Sequence, residues 1–209
     1  MNRILYLHGF ASSPASSKAR FFAERLRTAG AQIDVPDLAA GDFEHLTISG
    51  QLRVVERAAA SDPVALMGSS MGGYLAALYA ARHPEVSRVV LLAPAFCFAR
   101  RWAERIGADA VDAWRATGDV EVFHYGDNRQ RRLSYALLED GFGYEDYPDF
   151  RQPALIFHGA QDDVVAARYS MEFAATHPSA HLEILDSGHE LLNVLEYMAP
   201  KVCEFLASP

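Results

Sequence analysis

Short apolar runs alternate along this chain with stretches whose apolar residues recur at helical spacing. Residues 3–7 carry Ile4-Leu5-Tyr6-Leu7 and stop at His8-Gly9-Phe10. The polar loop 11–16 follows, and Ser16 or Ser17 suits the N-cap of a helix with Phe22, Leu26 and Ala29 in phase, ended by Gly30. A second strand is expected over 32–35. After a loop with Gly41, a helix buries Ile48, Leu52, Val55 and Ala59, and Asp62-Pro63 punctuates its end. Val64–Met67 reads as a third buried strand, 73–82 as a helix closed by His83-Pro84, and Val89–Ala93 as a fourth strand stopped by Pro94. Residues 154–157 and 181–185 make two more strands around a helix near 166–176. A last helix carries Leu191, Leu192, Val194, Leu195 and Met198, with Pro200 placed to break or restart it.

Strands alternating with helices imply a parallel sheet covered on both faces, with ligands at the carboxyl ends of its strands. The alternation lapses between residues 95 and 152. That stretch shows no clear apolar strand and holds many aromatics, among them Phe96, Phe98, Trp102, Trp114 and Phe142. It reads as a mostly helical insertion over the strand ends, its aromatics forming chiefly a small core of their own. Trp102 and Phe142 are candidates to line an acyl pocket.

At 209 residues the chain suits one domain, 1–209, with the insertion 95–152 inside it. Half its residues are hydrophobic and its net charge is −8, which disfavours nucleic acid or an anionic membrane as partner. Cys97 and Cys203 are far apart and form no C-x-x-C, as in a reduced compartment. The N-terminal apolar run is too short for a signal peptide, and no run is long enough to span a bilayer. A cytoplasmic protein is expected.

Between the third strand and its helix lies Gly68-Ser69-Ser70-Met71-Gly72, a G-x-S-x-G pattern. A serine on such a turn has its hydroxyl exposed and a helix start beside it. Chance would supply the pattern in roughly one chain of this length and composition in sixteen, so partners must be found. An attacking serine needs a base, and His189, after Ser187-Gly188 beyond the sixth strand, is the candidate. The base needs an orienting acid. Asp162 and Asp163 both follow the fifth strand; Asp162 is favoured, with Val165 anchoring the turn, and the other aspartate is a solvated loop residue or N-cap. The oxyanion needs two donors, for which the backbone N–H groups of Met71 and Phe10 are placed. His8 is expected to bond loop backbone rather than act as a base.

The order Ser70, Asp162, His189, together with His8-Gly9-Phe10 and His158-Gly159-Ala160-Gln161-Asp162, resembles the α/β-hydrolase superfamily. The opening Tyr6-Leu7-His8-Gly9-Phe10-Ala11-Ser12-Ser13-Pro14 looks more narrowly like small bacterial YqiA-type esterases. The resemblance implies a three-layer α/β sandwich with a mostly parallel sheet of about six strands, lacking the first two of the usual eight, and a helical cap. It implies a serine hydrolase of a small carboxylic ester or thioester, acting through an acyl-enzyme on Ser70 with no cofactor and no metal. Amide or C–C bond hydrolysis on the same triad, or a non-catalytic binding protein of this fold, are the alternatives. Asp37, Asp42, Glu44 and His45 lack metal-ligand spacing and read as a solvated loop. Arg129-Gln130-Arg131-Arg132 reads as a solvated helix face.

Overall fold

A computed structural model describes residues 3–60 and 63–207, so the Asp62 half of the expected Asp62-Pro63 break lies outside the described residues. Strands β1 (Arg3–Leu7), β2 (Ile33–Asp34), β3 (Val64–Ser69), β4 (Val89–Leu92), β7 (Ala154–Gly159) and β8 (Ala180–Leu185) make one sheet in the order β2-β1-β3-β4-β7-β8. Every pairing in it is parallel. The two opening strands of the usual eight have no counterpart among the described residues.

Alternate strand residues feed two cores, as the pleat requires. Ile4, Tyr6, Met67, Val90, Leu92 and Phe157 pack with Phe22 and Leu26 of α1 (Ser17–Thr28) and with Met198 and Val202 of α8 (Leu195–Ala207). Leu5, Leu7, Leu66, Leu91 and Ile156 pack on the other side with Val55 of α2 (Ile48–Ala59), Leu75 and Leu78 of α3 (Met71–Arg82) and Phe173 of α7 (Arg168–Thr176). The result is a helix–sheet–helix sandwich. From β1 the chain steps outward to β2, then crosses back to β3, so strand order reverses between β1 and β3. The crevice at the carboxyl ends of such a pair is where open parallel sheets bind ligands.

The segment after β4 departs from the helical expectation. It holds α4 (Phe98–Ile106), α5 (Ala108–Thr117) and α6 (Ala136–Gly141), but also an antiparallel hairpin, β5 (Asp119–His124) and β6 (Arg129–Ser134). The stretch 129–132 is therefore a strand and not a helix face. Its arginines are paired: Arg131 reaches Asp127 at 2.6 Å, and Arg132 pairs with Asp119 across the hairpin. Asn128, at φ +52°, supplies the turn. Nor do the aromatics here form a separate core. Phe96, Trp114, Tyr135 and Phe150 belong to the same buried cluster as Leu66 and Leu91 of the sheet. Trp114 Nε1 donates to Leu133 O at 3.1 Å, and the Asp140 carboxylate of α6 takes the Ser49 N–H of α2 at 2.7 Å.

At the C-terminus, Leu191 takes φ +56°, a single 3-10 turn spans Leu192–Val194, and the regular helix begins only at Leu195. Pro200 does not interrupt it. The proline is on the exposed side of the helix, which forgoes one hydrogen bond there.

Candidate active site

Ser70 stands at the joint between β3 and α3 with φ +55° and ψ −118°, a region that non-glycine residues occupy at a cost of about 1–3 kcal/mol. The neighbouring glycines are set by contact. A Cβ at Gly68 would lie 2.2 Å from Gly72 O, and one at Gly72 would lie 2.0 Å from Leu7 O. The turn is pinned by Ser70 N–H donating to Leu92 O at 2.8 Å and by Ser70 O accepting from Ala95 N at 3.0 Å. The small residues of the motif thus let β1, β3 and α3 touch, and they leave the Ser70 side chain clear of them.

His189 Nε2 is 3.0 Å from Ser70 Oγ, and His189 Nδ1 is 2.7 Å from Asp162 Oδ2. Two loops from different strands meet to achieve this. Gln161 N donates to Ser187 O at 3.0 Å, and a Cβ at Gly159 would lie 2.3 Å from that same oxygen. Asp162 is buried and its carboxylate accepts four bonds. Oδ1 takes the N–H groups of Val164 at 2.9 Å and Val165 at 2.7 Å, and Oδ2 takes His189 together with His158 Nε2 at 3.1 Å. Burial pushes its pKa upward, but the His158 and His189 bonds outweigh burial and hold the carboxyl well below the usual range. Asp163 is exposed and Val165 is buried, each as expected.

His158 has no exposed surface. Its contacts fit one tautomer: Nε2–H is shared between Val165 O at 2.7 Å and Asp162 Oδ2, and the Ser170 hydroxyl donates to Nδ1 at 2.7 Å.

Among the described residues no acceptor is hydrogen-bonded to the N–H of Phe10 or Met71. Met71 opens α3, where the first amides have no intrahelical partner. The loop bearing Phe10 is held by His8, whose Nε2 accepts from Leu38 N at 3.2 Å while Nδ1–H donates to Gly9 O at 3.0 Å. Burial lowers the His8 pKa more than the Gly9 carbonyl raises it, so the ring stays neutral and free to accept. His8 is thus a loop brace, as its position implied.

The description "Uncharacterised protein family (UPF0227)" belongs to the family model that matches residues 3–207. The chain belongs to that family. The YqiA-type resemblance of its opening residues agrees with this membership. No curated protein matches the sequence. Among solved structures, this UPF0227 chain is similar to the mouse alpha/beta hydrolase domain-containing protein 10, with TM-score 0.82 and 17% identity over 97% of this chain and 88% of that one. It is also similar to the Paleococcus ferrophilus monoacylglycerol lipase, at TM-score 0.80 and 16% identity over 98% and 93% of the two chains. Est1E from Butyrivibrio proteoclasticus gives TM-score 0.72 and 21% identity over 98% and 86%. At these identities the likeness establishes the α/β-hydrolase fold.

Above Ser70 the UPF0227 chain has a pocket of about 110 Å³ to which Phe10, Met71, Phe98, Arg101, Trp102 and Arg105 contribute. Trp102 therefore lines it as expected, edge-on to Phe10 at 5.2 Å, whereas Phe142 is exposed and takes no part because α6 turns its end to the surface. A larger open groove of about 430 Å³ lies between α1 and β2 and contains none of these residues, so the smaller pocket is the one joined to the serine. The sequence motifs leave His158 without a role of its own and point to neither Arg101 nor Arg105. The spacing of His158 four residues before Asp162 was the available signal for the first. Asp42 and His45 pair with one another at 2.9 Å, and Asp37 caps the Ala39 and Gly41 amides. No group of metal-ligating side chains occurs among the described residues. No helix among them is long and apolar enough to cross a membrane.

Proposed function

We propose that the protein is a serine hydrolase of small-molecule carboxylic esters or thioesters, acting through an acyl-enzyme on Ser70. One observation carries the proposal: the unbroken path from Ser70 Oγ through His189 to the buried Asp162 carboxylate, with steps of 3.0 and 2.7 Å. His189 takes the Ser70 proton as the hydroxyl attacks the carbonyl, and Asp162 holds the ring in the Nδ1–H tautomer and stabilises the imidazolium. The uncommitted Phe10 and Met71 amides receive the oxyanion. His189 then protonates the leaving alcohol or thiol. It next activates the water that releases the acid and restores Ser70.

One protein of similar fold is a monoacylglycerol lipase, in keeping with an ester substrate. The segment 95–152 acts in this reading as a cap within one domain, since α4 supplies one wall of the pocket. Two free thiols and a net charge of −8 accord with a cytoplasmic setting and with neither nucleic acid nor membrane as partner. A binding protein without activity would have no need of the complete triad. Hydrolysis of p-nitrophenyl butyrate by the wild type and by Ser70→Ala tests the proposal. A loss of at least about 10⁴-fold in kcat/KM is expected, and retention of most activity would refute it.

A further inference from the structure

Arg101 and Arg105 lie four residues apart on α4 and so share one face of the helix. Both line the pocket above Ser70, and that lining contains no carboxylate. The contrast with the rest of the molecule is sharp, since acidic residues outnumber basic ones 27 to 19. Other arginines of the same segment are neutralised: Arg100 by Asp146 at 2.9 Å, Arg115 by Asp112 at 2.7 Å, Arg131 by Asp127 at 2.6 Å. Neither Arg101 nor Arg105 has an ion-pair partner among the described residues.

Arg101 is half-buried and partly committed. Its Nε donates to Phe96 O at 2.8 Å and its Nη1 to Val164 O at 3.1 Å, and its guanidinium lies 5.4 Å from the Tyr169 ring centre. These bonds tie the cap to the Asp162 loop and orient the group. They use two of five N–H donors, and three remain on a cation that cannot shed its charge. A half-buried guanidinium without a counter-ion is costly to keep. The tether explains neither that cost nor the second arginine one turn away.

We propose that the pocket takes esters bearing an anionic oxyacid group, a carboxylate or a phosphate, which Arg101 and Arg105 hold while Phe98 and Trp102 flank the hydrocarbon between that group and the ester. The proposal rests on the reading of Ser70 as the acylated nucleophile. A guanidinium pair matches two oxygens of such an anion, and the charge-assisted bonds form at the site the anion reaches.

The test compares matched esters that differ in one anionic group: 4-carboxyphenyl butyrate against its methyl ester, 4-(phosphonooxy)phenyl butyrate against 4-methoxyphenyl butyrate, and monomethyl against dimethyl glutarate. The first and third pairs place a carboxylate on the alcohol and acyl sides, and the second tests phosphate. In at least one pair the wild type is expected to prefer the anion at least about tenfold in kcat/KM. Arg105→Gln should cut that ratio about tenfold, chiefly through KM, and Arg105→Glu should invert it. Arg57→Gln, on the exposed side of α2, should leave the ratio alone and so excludes a general charge effect. Arg105 is exposed, so its variants are expected to fold. No preference in any pair, or a ratio insensitive to Arg105→Glu, overturns the proposal. If the neutral esters are turned over and Ser70→Ala abolishes that turnover, such a result leaves the serine hydrolase standing. If Ser70→Ala keeps the activity, both readings fall.

Discussion

Asp162 and Asp163 are adjacent carboxylates with opposite surroundings. Asp162 receives four hydrogen bonds in the interior, two from backbone and one from each of His158 and His189, whereas Asp163 points to solvent. A carboxylate so held can fix the His189 tautomer, and an exposed neighbour cannot. Asp162→Asn is therefore expected to lower kcat by about 10⁴-fold, the loss typical of a wrong tautomer with intact geometry. Asp163→Asn should stay within a few-fold, and steady-state kinetics on one ester with both variants decides the matter. A greater loss at Asp163 would reverse the assignment. Ser70 and His189 were legible in sequence because the glycines and the chain order name them. The choice between the aspartates needed Val165, whose burial turns the loop so that Asp162 faces inward.

At the scale of elements, the glycines of the turn after β3 are spacers between backbones. Gly72 meets Leu7 O where a Cβ would lie 2.0 Å away, while Gly41 has open space around it and only its φ of +82° to satisfy. Gly72→Ala should cost at least about 3 kcal/mol or prevent folding. Gly41→Ala should cost only about 1–2 kcal/mol. Urea unfolding of both variants measures the contrast, and equal losses would mean that backbone contact does not shape the turn. The central strands β1, β3, β4 and β7 were readable because they are buried on both faces and so appear as nearly unbroken apolar runs. The β5–β6 hairpin was not, because its one buried face alternates with charge: Val120, Val122 and Leu133 sit among Asp119, Glu121, Arg131 and Arg132. The last helix was placed four residues early because Leu191 is apolar yet serves a left-handed turn, being buried as a loop residue.

For the whole molecule, the buried Asp162 carboxylate links stability to pH. The Asp162 carboxyl lies below its ordinary value in the folded state, so over that interval the folded chain binds fewer protons than the unfolded one. The stabilisation is complete above about pH 4, the ordinary range for an aspartate, and is lost as the pH falls through the folded value. The difference in unfolding free energy between the wild type and Asp162→Asn should therefore shrink on going below about pH 4. Chemical unfolding at several pH values tests this, and a difference as large at pH 3 as at pH 7 would contradict it. The same molecule-wide view sets Arg101 and Arg105 apart, as positive charge without an ion-pair partner among the described residues, lining the pocket of an otherwise acidic protein. All of this presupposes a nucleophilic Ser70, and intact-mass analysis after treatment with a fluorophosphonate addresses that most directly. The folded wild type should gain a single adduct that maps to Ser70, and Ser70→Ala should gain none. A folded wild type that stays unlabelled, or one labelled at another residue, would contradict the account.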